Sequence, residues 1–393
     1  MKIKYNKKNL YCLILLLPFF FPTIGGLDFI TQIIKIYKIL VGIIVIFHTV
    51  KKHEMSLHLI LLSCFYGIIC LSAVIHGHQI DSLIIDVLFL WLVNYMTYDA
   101  RSLKRFIDVY EKLYTVLMFV NLATMLLFPK GLYSSSAYNL NWFLGYKNVI
   151  IRLLLPYLTL MLTKNVLNNQ EIELPGKEKF YFTATLISIL LTQSFNSLIG
   201  IVVFCLFVCA AKFDKIHAKF LISKAFVAYC ITDFFVLKSG FLSLFQNLII
   251  NVLEKSASER GRIAIWQHTL NMISEAPYIG YGGITNEMYN FSFKISHPHN
   301  LMLYYLMLGG IVGIIILLVA MWMSEIKGIK NQTPMVKKIN YLFAGMYIAF
   351  FAMGYMESLT GATMLIPMLA ILYNINNSGL GSDRNESWFM YTV

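Results

Sequence analysis

The chain has 393 residues, 58% hydrophobic and only 13% charged, with a formal net charge of +12. That charged share is roughly half the usual globular value, too little to cover the surface of a soluble protein of this length. The excess Lys and Arg sit in short clusters between apolar runs, which argues against a nucleic-acid groove and for the charge asymmetry that orients membrane proteins.

Basic Met1–Lys8 leads into apolar Leu10–Phe21, and no small-x-small cleavage pattern follows before Asp28, so this stretch reads as a first, uncleaved span. Further apolar runs follow. The predicted spans are 9–26, 32–50, 56–75, 81–98, 106–128, 148–163, 180–194, 197–211, 219–237, 299–322, 340–356 and 360–375. A run of about 20 apolar residues crosses the hydrocarbon core as a helix that satisfies its own backbone. The expected fold is therefore an all-α integral membrane protein, a single polytopic unit over residues 1–393 with about 12 transmembrane helices. All six cysteines fall inside apolar runs and read as small buried hydrophobes, not disulfides or metal ligands.

With the N-terminus inside, the cytoplasmic segments carry Lys2, Lys4, Lys7 and Lys8, then Lys51 and Lys52, and then Arg101, Lys104 and Arg105. Lys164, Lys177 and Lys179, then Lys212 and Lys215, and then Lys327, Lys330, Lys337 and Lys338 continue the pattern, while the short connections around Gly25, His78, Asn196 and Gly361 are nearly free of positive charge. The positive-inside rule then places both termini in the cytoplasm and the chain in the cytoplasmic membrane, with 376–393 a polar, mobile tail.

Two extracytoplasmic segments are long. One runs from Pro129 to Lys147; the other, 238–299, is the longest polar stretch of the chain. Loops of that length usually carry function. Within the second, Leu242–Leu253 and Gly261–Ile273 have helical character, the latter lying along the membrane surface with Trp266 among the headgroups. Pro277, Gly280, Gly282 and Gly283 then predict a flexible turn.

This loop gathers the residues best suited to chemistry: Arg260, Arg262 and Trp266, then His297-Pro-His-Asn300 at the start of a helix. Guanidinium is a permanently charged fork suited to diphosphate. Imidazole can accept a proton near neutral pH, and Asn300 can bond a hydroxyl or cap the helix. The blander readings are solvated histidines and arginines that meet lipid headgroups. The tetrad has no carboxylate or Cys near it in sequence, so neither metal nor other cofactor is expected. Arg152 stands about one turn inside a predicted span, where it needs an anionic partner, a wet cavity or room to snorkel. Asp86, Asp108, Glu111 and Asp233 suit structural pairing with Lys112, Lys224 or Lys104, whereas Glu357 at an outer helix end is kept as a site candidate.

In order and spacing these features resemble the polysaccharide repeat-unit polymerase and O-antigen ligase superfamily (Wzy-type proteins). The carrying residues are Arg262-Ile-Ala-Ile-Trp266, Pro277 to Gly283, His297-Pro-His-Asn-Leu-Met-Leu303 and Leu308-Gly-Gly-Ile-Val-Gly313. Upstream, Tyr146-Lys-Asn148, Leu191-Thr-Gln-Ser194 and Leu198-Ile-Gly200 are similar to earlier landmarks of the family. The resemblance implies a metal-independent membrane glycosyltransferase without cofactors, whose donor is a growing glycan on polyprenyl diphosphate and whose acceptor is one lipid-linked repeat unit. It implies His299, or alternatively His297, as base, and Arg152, Arg260 and Arg262 as stabilisers of the leaving diphosphate. Lys147, Asn148, Trp266, Asn300 and Glu357 complete the expected substrate-binding set. A chain-length regulator and a flippase are the expected protein partners. Ligase-like members often carry a serine-arginine pair where this chain reads Gln193-Ser194-Phe195-Asn196, which weakens the ligase reading relative to a polymerase of capsular or other surface polysaccharide. The rivals are ligase-type transfer, a flippase of lipid-linked oligosaccharide, which usually shows two related halves, and a non-enzymatic membrane subunit.

Overall fold

The computed structural model describes residues 7–20, 28–134, 140–213, 219–238, 258–285, 287–289, 297–330, 333–359 and 364–378. Among these residues the helices are α1 (Lys7–Phe20), α2 (Asp28–Lys51), α3 (Leu57–Ile75), α4 (Asp81–Thr97), α5 (Ala100–Leu127), α6 (Lys147–Asn169) and α7 (Gly176–Leu191). They continue as α8 (Phe195–Lys212), α9 (Leu221–Lys238), α10 (Ser258–Glu275), α11 (Leu301–Lys330), α12 (Pro334–Gly354) and α13 (Pro367–Asn377). The predicted helix 242–253 and most of the predicted tail lie outside the described residues.

A helix overlaps every predicted span. Five of them, α2, α3, α6, α8 and α11, are long and apolar enough to cross a membrane alone. Helices α4 and α5 pass only as a pair, bent by 119° at a junction where Asp99 accepts hydrogen bonds from the Arg101 and Ser102 N–H groups. The other helices are too short, as α1 and α13 are with 14 and 11 residues, or fall short in apolar character. Among the described residues, five or six crossings pass on length and composition alone. The protein is a multi-pass, all-α membrane protein.

Burial separates its helices. In α2, 17% of the apolar window is enclosed and Phe29, Ile36 and Phe47 face outward, as a lipid-contacting helix requires; in α6 the share is 83%. Helix α6 is packed by α5, α7, α8 and α12. Helices α8 and α12 approach closely because small residues line their crossing: a Cβ on Gly200 would stand 2.5 Å from Met353 Sδ, and one on Gly345 2.7 Å from Phe207 Cβ.

Polar side chains set the helix ends. Ser56 starts α3, Ser194 starts α8 and Thr333 starts α12, each accepting a backbone N–H within the first turn. At the end of the bundle away from the start of α6, Lys164 lies 2.6 Å from both Asp108 and Glu111, and Asp108 also takes Lys112 at 2.7 Å. The expected pairing of Asp108 is therefore met and extended by Lys164. All six cysteines are free thiols.

Strands β1 (Asn141–Trp142) and β2 (Gly145–Tyr146) form an antiparallel hairpin directly before α6. It is fastened to the end of α5: the Trp142 indole N–H donates to the Phe128 carbonyl at 2.9 Å, and the Leu144 N–H to Asn121 Oδ1 at 2.9 Å.

Helix α11 is interrupted. Gly310 takes φ 57° and ψ −162°, which breaks the backbone ladder inside an apolar helix. The segment 277–282 closes the gap. Tyr281 and Gly282 N–H donate to the Met307 and Leu308 carbonyls at 2.6 and 3.0 Å, and Ile311 and Val312 N–H donate to the Pro277 and Tyr278 carbonyls at 2.9 and 3.1 Å. The predicted flexible turn is thus a fitted splint. Its glycines are there for space and for positive φ: a Cβ on Gly282 (φ 71°) would lie 1.9 Å from Ala73 N, and one on Gly310 2.3 Å from the Tyr278 carbonyl carbon.

Gly282→Ala should therefore destabilise the folded protein by about 3 kcal/mol or more, since left-handed strain and backbone overlap add. Gly67→Ala, in α3 with nothing within 4 Å of the new methyl, should be neutral or stabilising by up to about 1 kcal/mol. Thermal midpoints of the detergent-solubilised variants, followed by size-exclusion fluorescence, check both.

Candidate functional site

The site lies at the end of the bundle where α6 and α11 begin and α12 ends. The hairpin delivers the chain to Lys147, so Asn148 falls in the first turn of α6 and Arg152 about one turn deeper. Arg152 is 3% exposed and does not snorkel. Its Nη2 lies 3.2 Å from Oε1 of Glu357, itself nearly buried, three residues past the end of α12. Asn148 Nδ2 donates to the other carboxylate oxygen at 3.1 Å, and Ser194, the residue that starts α8, donates to Asn148 Oδ1 at 2.8 Å. Burial pushes the Glu357 carboxyl up, but Arg152 foremost, then the two imidazoles and Asn148, hold it below the ordinary glutamate value.

On the opposite side of that carboxylate stands the His297–Asn300 turn. The rings of His297 and His299 are 4.1 Å apart, and His299 Nδ1 lies 3.9 Å from Glu357 Oε1, buried and without a hydrogen bond. His299 is left-handed at φ 52°, a costly conformation for a residue with a Cβ. Several contacts impose it. The His299 N–H donates to His297 Nδ1 at 3.3 Å, the Asn300 N–H donates to Ser358 Oγ at 3.2 Å, and Ser358 Oγ lies 3.1 Å from His297 Nδ1. Because a backbone N–H occupies His297 Nδ1, that ring carries its proton on Nε2. Burial, then the neighbouring imidazole and the two arginines, push His299 down to about 4 against the pull of Glu357. Burial also lowers His297, helped by Arg152 and opposed by Glu357.

Trp266 and Asn300 serve this turn from behind. The indole is 3% exposed, packed with Ile265, Tyr289 and Leu303, and donates to the Pro298 carbonyl at 2.9 Å. The expectation of a headgroup-level tryptophan is overturned, because the indole N–H finds a partner inside. Asn300 is fully buried with both ends of its amide engaged: Nδ2 donates to both oxygens of Asp233 in α9 at 2.9 and 3.1 Å, and Oδ1 accepts the Leu303 N–H at 2.9 Å. It caps α11 and fixes the turn, so Asp233 meets an amide where a lysine was expected. Tyr229 adds a further tie, donating to the Gly354 carbonyl and accepting the Met302 N–H, both at 3.1 Å.

Arg262, in α10, is half-buried, and its described hydrogen bond goes from Nη1 to the Met356 thioether at 3.3 Å, a weak acceptor. Its charge still reaches His299. Lys147 is half-buried and forms no ion pair among the described residues. The side chain of Arg260 lies outside the described residues.

The fold therefore brings Arg152, Glu357, Asn148, His297, His299 and Arg262 together, from four separate stretches of chain. Ser358 and Tyr229 escaped the sequence reading: a serine beside a glutamate and a tyrosine inside an apolar helix carry no spacing signal. The expectation that no carboxylate stands near the His-Pro-His tetrad is also overturned, since donor atoms of His297, His299 and Glu357 lie within 4.8 Å of one another. This trio suits a cation poorly. The Nδ1 lone pair of His297 is already used, and the Arg152 guanidinium stands 3.2 Å from the carboxylate. The same arrangement suits an anionic group next to a group that receives a proton.

Comparison with curated proteins and comparison with solved structures each find no match. Residues 180–318, from within α7 through Ser194, Arg262, His297 and His299 to the middle of α11, match the family model Wzy_C, described as O-Antigen ligase.

Proposed function

We propose that this protein is a polymerase of capsular or other surface polysaccharide, acting at the outer face of the cytoplasmic membrane. It transfers a growing glycan from polyprenyl diphosphate onto a lipid-linked repeat unit. The observation that carries this reading is a half-buried guanidinium, Arg262, bonded among the described residues to a thioether alone, beside His299 and the buried Arg152–Glu357 pair. An anionic leaving group that meets two guanidinium groups in a membrane-enclosed site is stabilised as its charge grows. The match to the O-antigen ligase family supports glycan transfer of this general type.

In the proposed step, an acceptor hydroxyl oxygen forms a bond to the donor's anomeric carbon. The bond from that carbon to the diphosphate oxygen breaks, and its electron pair leaves on polyprenyl diphosphate. The hydroxyl proton passes to His299. His299 is preferred over His297 because the His297 Nδ1 lone pair is engaged internally and its Nε2 is protonated. Asn148 and Ser194 orient Glu357; Trp266 and Asn300 orient the histidine turn. Arg260 and Lys147 are proposed as further contacts to the diphosphate.

Ligase-type transfer, the second reading, shares the donor half of this scheme and is favoured by the match to a family described as O-Antigen ligase. It differs in product: one glycan transferred to an unlike acceptor, with no ladder of repeat units. A flippase would move the substrate unchanged.

Purified protein in lipid with lipid-linked repeat units should yield ladders of longer glycans. His299→Ala should slow their formation by about 10²–10⁴-fold, and Arg262→Ala by roughly 10²–10³-fold. Substrate crossing the bilayer unchanged, without a ladder, would sink the enzyme reading. The base must be neutral, so activity is lost as pH falls through its pKa. With His299 lowered to about 4, kcat/KM should stay flat from pH 8 to about 5 and fall below that, instead of falling near the ordinary value of about 6.5.

A further inference from the structure

Glu357 faces two claimants through one oxygen. Oε1 lies 3.2 Å from Arg152 Nη2 and 3.9 Å from His299 Nδ1, while Oε2 is held by Asn148, which is held in turn by Ser194. The carboxylate is thus pinned on one side and contested on the other. His299 Nδ1 is the claimant left without a hydrogen bond, although it is buried and belongs to a residue with left-handed backbone. Leu359, two residues past Glu357, is left-handed as well, with φ 54°, so strained backbone flanks the pair on both sides. A buried nitrogen left short of a carboxylate by little more than an ångström is an incomplete contact, of the kind that tightens when substrate binds.

We propose that Glu357 is a positioning residue passed from Arg152 to His299 when the diphosphate of the donor binds. In the unliganded protein the carboxylate neutralises Arg152. A diphosphate entering the site draws the Arg152 guanidinium onto its own oxygens, because a multiply charged anion outcompetes one carboxylate. Glu357 Oε1 then closes onto His299 Nδ1, which must carry the ring proton. That tautomer leaves the Nε2 lone pair free to take the acceptor's hydroxyl proton. The hydroxyl oxygen bonds the anomeric carbon, the diphosphate departs with the electron pair of the broken bond, and the resulting imidazolium stands beside a carboxylate that balances its charge. The base is therefore assembled only once a donor is present. The low basicity of His299 in the unliganded arrangement fits this order.

The inference rests on the donor being diphosphate-linked, as in the reading above, and its test separates the two. The full-length protein in lipid nanodiscs is titrated with inorganic diphosphate, and glycan ladders are measured in parallel. Glu357→Gln should bind diphosphate about five- to tenfold more tightly than wild type, because the Glu357 charge no longer competes for Arg152, yet should form ladders about 100-fold or more slowly. With Arg152→Gln already present, the same substitution should lose most of that gain in binding. Glu357→Asp keeps the carboxylate charge at the site and so guards against misfolding. It should bind diphosphate within about twofold of wild type and lower kcat about tenfold at unchanged KM for the acceptor. A folded Glu357→Gln protein that binds diphosphate no better than wild type would overturn the proposal. So would an Asp variant that raises acceptor KM at unchanged kcat. A wild-type protein that makes no glycan would remove the polymerase reading while leaving the diphosphate comparison to stand on its own result.

Discussion

Arg152 and Glu357 reach the same point from helices far apart in sequence, and neither would sit inside the bundle alone. An unpaired buried charge costs several kcal/mol, whereas the pair, with Asn148 on the spare carboxylate oxygen, loses its solvation but keeps its hydrogen bonds. Breaking such a pair from one side typically costs about 3–5 kcal/mol. The start of α6, the start of α8 through Ser194, and the end of α12 are thereby fastened at one point. Everything else in the site is arranged around that fixed charge pair.

The histidine turn is held to it by a different means. His299 is kept in left-handed backbone by contacts from three directions: Ser358 after α12, Trp266 from α10 and Asp233 through Asn300 from α9. Helix α10 is in turn followed by the splint that completes α11. The guanidinium of Arg262 and the imidazole of His299 therefore belong to one mechanically joined unit. A shift of α10 alone would have to break an indole hydrogen bond and the repaired ladder of α11 together.

Much of the helical architecture was legible in the sequence because long apolar runs have few other uses, and a helix stands in each predicted span. Helices α1, α7 and α13 are apolar yet short among the described residues, and the bend between α4 and α5 falls where the charged stretch with Arg101, Lys104 and Arg105 separates two predicted spans. At the site, Arg152 and Glu357 stood out as charges where charge is expensive, and the histidines as a compact motif. Their partnership did not, because nothing local to His-Pro-His announces a carboxylate contributed from beyond α12. Trp266 was read by chemical type as a group that meets lipid headgroups, and Asn300 as one that bonds a hydroxyl or caps the helix. The fold buries both, the indole bonded to the Pro298 carbonyl and Asn300 capping α11. Gly280 and Gly282 read as freedom in the sequence and, with Gly310, act as fit in the structure.

The break in α11 bears on how the protein is made. A span entering the bilayer with its ladder interrupted at Gly310 leaves carbonyls and amides of its own backbone exposed to lipid, a state the hydrocarbon core strongly disfavours. Residues 277–282 supply the missing partners, and they emerge from the ribosome before α11 does. The loop must therefore be waiting at membrane depth when the helix arrives, so maturation of α11 is a docking event, not a simple lateral release into lipid.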